Sequence, residues 1–203
     1  MVFTAVTDPK CAGIVDSLNA ARKNATGVVD MVDIPQQIQY MHHLFPKAKT
    51  VGMLYNAAEQ NSIVQVKAAT KAAKKLGLKV VKRTVASTND VQSATEALAG
   101  LSDVIYAPTD NTVAAAMATV GKVSLAKHVP VVPAASTMVQ DGGVANIGIN
   151  YKDLGKQTAK LAIQIIKGKK VKALAVEKPA KVTVIKNEKM MKAFGITDAD
   201  TKQ

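Results

Sequence analysis

Apolar residues recur along the chain in two alternating rhythms. Short runs rich in β-branched residues stand at Val2–Val6, "TGVVDMV" (26–32), "TVGMLY" (50–55), "LKVVKRTV" (78–85), "DVIYA" (103–107), "VPVV" (129–132) and "VANIGI" (144–149), with "KVTVI" (181–185) near the end. Runs of this length and composition predict strands, several buried on both faces. Between them the apolar positions recur at helical spacing: Ile34, Ile38, Met41 and Phe45; Ile63, Val66, Ala69, Ala73 and Leu76; Val91, Ala94 and Leu98; Val113, Met117, Val120 and Ser124; Leu154, Thr158, Leu161 and Ile165. Another helix is expected over Pro9–Ala21 and a short one over Glu188–Phe194. Punctuation agrees with these bounds. Asp33-Ile34-Pro35 reads as a helix start, Thr88, Asn89 and Asp90 as caps, and Gly77, Gly100 and Gly168 as stops. Strands alternating with long helices imply crossover connections and a parallel sheet, so the fold class is α/β.

In open parallel sheets, ligands bind beyond the carboxyl ends of the strands, where the following helices point their amides. At each such point this chain carries polar side chains: Thr7 and Asp8, Tyr55 and Asn56, Thr109, Asp110 and Asn111, Ser136, and Asn150. Ser, Thr, Asp and Asn are also the preferred helix caps, so each junction read alone fits either role. Tyr55 is different, because an aromatic ring is no cap and offers a stacking wall.

Composition narrows the function. Lys and Arg outnumber Asp and Glu by 27 to 15, a net charge of +12 that would suit an anionic partner. The lysines are spread along helices, however, no basic run interleaves with aromatics, and no DNA- or RNA-binding motif appears, so no nucleic-acid partner is expected. A single cysteine, Cys11, excludes an internal disulfide. No apolar run approaches the ~18 residues of a membrane span, and neither a signal peptide nor a lipid-anchor cysteine is read at this start. Catalytic signatures are missing too: no G-x-S-x-G, P-loop or G-x-G-x-x-G follows a strand. Asp8 and Asp110 could form an acid–base couple only if the fold brought them together, and adjacent His42 and His43 point to different sides of a helix. The expectation is a binding protein with no catalytic residue, no metal and no cofactor.

Four segments, "VFTAVTDPKCAGIVDSL", "VGMLYNAAEQNS", "DVIYAPTDNTVAAAM" and "INYKDLGKQTAKLAIQIIKG", resemble the substrate-binding proteins of ABC transporters, in the group taken to bind tryptophan and related amino acids. The resemblance implies a periplasmic-binding-protein-like fold of two α/β lobes, parallel sheets flanked by helices, with the ligand in the cleft between them and the first lobe incomplete. Residues 1–30 would be part of the first lobe and 31–149 the second. Residues 150–180 would return to the first, and 181–203 would form a final crossing strand and a helix on the second. The start on a buried-type strand fits a lobe lacking its first units, and a cut sheet edge invites a dimer. The likeness further implies a free amino acid as ligand, tryptophan or another aromatic or apolar one. Its carboxylate would lie near Thr7, Thr109 and Ser136, its ammonium near Asp8 or Asp110, and its side chain against Tyr55, with Asn56 and Asn111 orienting it. Asn150 stands where aspartate is usual in the family. A membrane permease would be the partner and the location extracytoplasmic and membrane-associated. The alternative on the same architecture is the effector-sensing domain of a LacI-like transcription regulator.

Overall fold

The computed structural model describes residues 1–19 and 23–202. Its elements in chain order are β1 (Val2–Thr4), β2 (Thr26–Val28), α1 (Ile34–Leu44), β3 (Thr50–Asn56), α2 (Gln60–Lys75), β4 (Lys79–Val85), α3 (Val91–Ala99), β5 (Val104–Ala107), α4 (Asn111–Ala115) and α5 (Met117–Lys127). There follow β6 (Val131–Pro133), α6 (Ser136–Asp141), β7 (Ala145–Gly148), α7 (Tyr151–Ile166), β8 (Thr183–Lys186) and α8 (Glu188–Ala193). The chain divides into two compact units, Met1–Val32 with Ile149–Thr183, and Asp33–Gly148 with Val184–Gln203.

The larger unit is built on a four-stranded parallel sheet in the order β4-β3-β5-β6. Leu54, Ile105 and Val131 of the sheet bury against Val91 and Leu98 of α3, Val113 of α4, and Met117 and Val120 of α5. Each such fully buried side chain contributes about 1.5–3 kcal/mol through the water it sheds. A second cluster joins Tyr40 and Leu44 of α1 to Val144, Ala145 and Ile147 around β7 and to Met190 and Met191 of α8. Helix α1 starts where the sequence predicts, with the Asp33 carboxylate accepting the Gln36 amide at 3.1 Å. One turn on, buried Gln37 donates to the carbonyls of Ala134 (3.1 Å) and Ile147 (2.7 Å) and accepts from the Tyr106 hydroxyl (3.1 Å). That side chain gives the Tyr106 hydroxyl and the Ile147 carbonyl partners in the core and shares the Ala134 carbonyl with the Asn146 side chain (2.7 Å).

In the smaller unit, β1 and β2 run parallel with Phe3 opposite Gly27. The segment at Glu177 flanks β2, exchanging Val29 N–H to Glu177 carbonyl (3.0 Å) and Glu177 N–H to Gly27 carbonyl (2.9 Å). Helix α7 turns Leu154 and Leu161 inward onto Val28, Ile149 and Leu174, while Phe3, Val15 and Ala25 form a separate cluster.

Four expectations change. The helix over Pro9–Ala21 is not formed across residues 9–19, which make turns, while Ala20 and Ala21 lie outside the described residues. The amides of Ile14 and Val15 both reach back to the Pro9 carbonyl, and Gly13 then leaves the helical region at φ 70°, which stops propagation. The run at 26–32 forms a strand only over Thr26–Val28. The helix through Val113–Ser124 is broken into α4 and α5 at Ala116, whose φ of −111° departs from helical geometry. Helix α6 was not expected.

Candidate functional site

The carboxyl edge of the four-stranded sheet holds a dense polar cluster. Asp110, only 1% exposed, precedes α4 and caps it by accepting the Val113 amide on one oxygen at 2.9 Å. Its other oxygen accepts the Asn56 amide (2.7 Å) and the Ser62 hydroxyl (2.6 Å). Asn56 is equally engaged: its side chain donates to the Thr112 hydroxyl at 2.9 Å and accepts the Ala58 amide at 2.8 Å. Glu59 precedes α2 yet does not cap it. Its carboxylate crosses to the next loop and accepts the backbone amides of Asn111 (2.9 Å) and Thr112 (3.0 Å), together with the Asn111 side-chain amide (2.7 Å) and the Thr112 hydroxyl (3.0 Å). Burial works to raise the Glu59 carboxyl, but these donors outweigh it and hold the group below its ordinary value. Thr109 is fixed through its backbone, with its amide on Gln65 (2.9 Å) and its carbonyl on Asn61 (2.7 Å). The loops after β3 and β5 are therefore locked to each other before anything binds.

Tyr55 stands apart in this cluster. It occupies the end of β3, half-buried, and no hydrogen bond holds its side chain among the described residues. Ser136, at the start of α6, is buried beside Gly148, where an added Cβ would lie 2.7 Å from its hydroxyl.

The smaller unit contributes the remaining expected residues. The Asp8 carboxylate accepts the amides of Lys10 (3.1 Å) and Cys11 (3.0 Å), and the Cys11 amide above all pulls it below the ordinary carboxylate range. Its hydrogen bond and charge in turn push the exposed Cys11 thiol up, the opposite of an activated nucleophile. The Asn150 side chain caps α7, accepting the amides of Lys152 (2.9 Å) and Asp153 (3.3 Å). Thr7 donates its hydroxyl at 3.0 Å to Asp30, a half-buried carboxylate two residues past the end of β2. Burial raises the Asp30 carboxyl, and burial together with that nearby charge pushes the Tyr151 phenol up to about 12.

Of the nine expected residues, Tyr55, Asn56, Thr109, Asp110 and Asn111 gather at one sheet edge, Ser136 follows the neighbouring strand, and Thr7, Asp8 and Asn150 lie in the smaller unit. Glu59, Ser62 and Asp30 were not anticipated. Glu59 sits where a cap is expected, which hides a carboxylate serving the adjacent helix. Asp30 lies inside an apolar run that reads as one strand; only the true end of β2 puts it at a carboxyl edge. Among the described residues, no group of three His, Cys, Asp or Glu could hold a metal ion, and no helix is long and apolar enough to cross a membrane. A groove of about 830 Å³ lined by Phe45, His128 and Phe194 opens at the amino-terminal edge of the large sheet and includes none of these residues.

Comparison with known proteins adds independent findings. The family model described as ABC transporter substrate binding protein matches residues 1–201. A tyrosine-binding protein of Clostridioides difficile (strain R20291) is 36% identical over 194 residues, covering 96% of this chain and 56% of that protein. The ABC domain in complex with L-Trp from Streptococcus pneumonia superposes with a TM-score of 0.89 at 35% identity, covering 97% of this chain and 66% of that one. The ligand-free, open structure of a substrate binding protein with adhesive properties from Clostridium difficile gives a TM-score of 0.81 at 38% identity, with 97% and 67% covered. The chain thus spans little more than half the length of the tyrosine-binding protein.

Proposed function

The chain belongs to the family of ABC transporter substrate-binding proteins and has their periplasmic-binding-protein-like fold, and from that membership we propose that it binds a free aromatic amino acid, tryptophan or tyrosine, without chemical change. The observation that carries this reading is Tyr55: a half-buried ring at a strand end, unheld by hydrogen bonds among the described residues, beside loops whose polar groups already satisfy one another. Such a ring is free to pack against another aromatic, a contact worth about 0.5–1.5 kcal/mol beyond the area it buries. The tyrosine-binding and L-Trp-bound relatives support the choice of ligand. In this reading Thr7, Asp8, Thr109, Asn111, Ser136 and Asn150 supply polar contacts from the strand ends, while Asn56 and Asp110 shape the loops that present them. Delivery to a membrane permease from the extracytoplasmic side is part of the same proposal, supported by the family, as is self-association through the edge of β1 that no strand covers among the described residues.

Absence of tryptophan from the chain makes the test direct, because ligand fluorescence excited beyond tyrosine absorption reports binding alone. We expect saturable one-to-one binding of L-Trp, displaced by L-Tyr and L-Phe and not by L-Glu, and weakened about tenfold by Tyr55→Ala. No saturable signal with any aromatic amino acid overturns the reading.

A further inference from the structure

We propose that Asp30 is the counter-charge for the ammonium group of the bound amino acid, an assignment that rests on the amino-acid reading above. An ammonium needs a carboxylate that is within reach and not already spent. Four carboxylates follow the ends of β1, β2, β3 and β5 within four residues. Asp110 is 1% exposed and divides its oxygens among the Val113 amide, the Asn56 amide and the Ser62 hydroxyl. Glu59 is taken up by Asn111 and Thr112. Asp8 is folded back onto the amides of Lys10 and Cys11. Asp30 differs from all three. Among the described residues its hydrogen-bonded side-chain partner is the Thr7 hydroxyl alone, at 3.0 Å.

The missing cation is informative in so basic a chain. With 27 Lys and Arg against 15 Asp and Glu, a half-buried carboxylate has many candidate partners. Yet the ion pairs among the described residues are Lys23–Asp16, Lys156–Asp153 and Lys186–Asp198, all at other carboxylates. Taking an unpaired carboxylate out of water is costly, and proteins ordinarily answer that cost with a fixed cation or hydrogen bonds. Here, among the described residues, no cation answers it and the Thr7 hydroxyl and the residue's own amide are its donors, which is the state expected of a group whose charged partner arrives from solution. Its surroundings match an ammonium in detail. The group carries three N–H donors, and the Asp30 carboxylate with the lone pairs of the Thr7 hydroxyl beside it offers acceptors of the right kind, while the charge of Asp30 is also felt at the Tyr151 phenol. Burial already raises the Asp30 carboxyl, and an arriving cation would lower it again.

The experiment compares L-Trp with indole-3-propionate, which keeps the indole and the carboxylate and lacks the ammonium, on the wild-type chain and on Asp30→Asn. Asparagine is isosteric and can still accept the Thr7 hydroxyl, so the turn keeps its support. In Asp30→Asn we expect L-Trp affinity to fall about 30-fold or more, to the level of indole-3-propionate, whose own affinity stays within about twofold or improves. The ligand-free variant should melt no lower than wild type, since an uncompensated charge has been removed. Unchanged L-Trp affinity in Asp30→Asn overturns the assignment and leaves the amino-acid reading standing. Equal loss of both ligands, or a lowered melting temperature, gives Asp30 a structural role and overturns it too. A wild-type chain that binds no aromatic amino acid removes both proposals together.

Discussion

Asp110 receives donors from three places in the chain: Asn56 at the end of β3, Ser62 in α2, and Val113 in its own helix. A neutral amide there would turn an N–H₂ toward groups that are themselves donors, at a position 1% exposed. Asp110→Asn should therefore lose about 2–4 kcal/mol of stability, measured by urea unfolding, because charge-assisted bonds go and buried donors are left unpaired. A loss under about 0.5 kcal/mol, the scale of an ordinary surface change, would show that the network is ornamental. From sequence this residue fits either a cap or a ligand contact, the cap being the commoner role. The structure gives it the cap and adds two partners that no local pattern announces, one of them 54 positions away.

At the scale of elements, the tightest constraint is the pairing of β1 with β2. A Cβ on Gly27 would fall 2.1 Å from the Phe3 carbonyl oxygen, a distance no rotamer can relieve. Gly27→Ala should split this strand pair and expose its amides to exchange, while those of β3, β4, β5 and β6 stay protected; protection of β1 and β2 equal to wild type would contradict this. Such contacts explain what the sequence does and does not disclose. The alternation of strands and helices is written in residues spaced two or four apart, so α1, α2, α3 and α7 are all legible. The turns over residues 9–19 are not, because a run of helix-compatible residues is cut by one left-handed glycine at position 13. Nor is the end of β2: Val29, Met31 and Val32 continue its apolar character around Asp30, and only pairing with β1, fixed by residues at the chain start, decides that the strand stops at Val28. The misread strand end also concealed Asp30 as a candidate contact.

For the molecule as a whole, β1 has β2 on one side and no strand on the other among the described residues. Unpaired edges of this kind are templates for a second chain unless they are covered or charged. We expect a dimeric mass by light scattering at micromolar concentration, and a monomeric mass under the same conditions rejects pairing through this edge. The larger unit raises a different issue. Glu59 clamps the loops after β3 and β5 with four hydrogen bonds to Asn111 and Thr112, and none of them involves residue 55. Under the proposed function, maintaining the scaffold and choosing the ligand thus fall to different side chains. Variation at position 55 can accumulate without threatening the fold, whereas variation at 56, 59 or 110 is coupled through shared partners. A lineage, or a library, seeking a new side-chain preference can drift at one half-buried ring while the rest of the edge stays fixed.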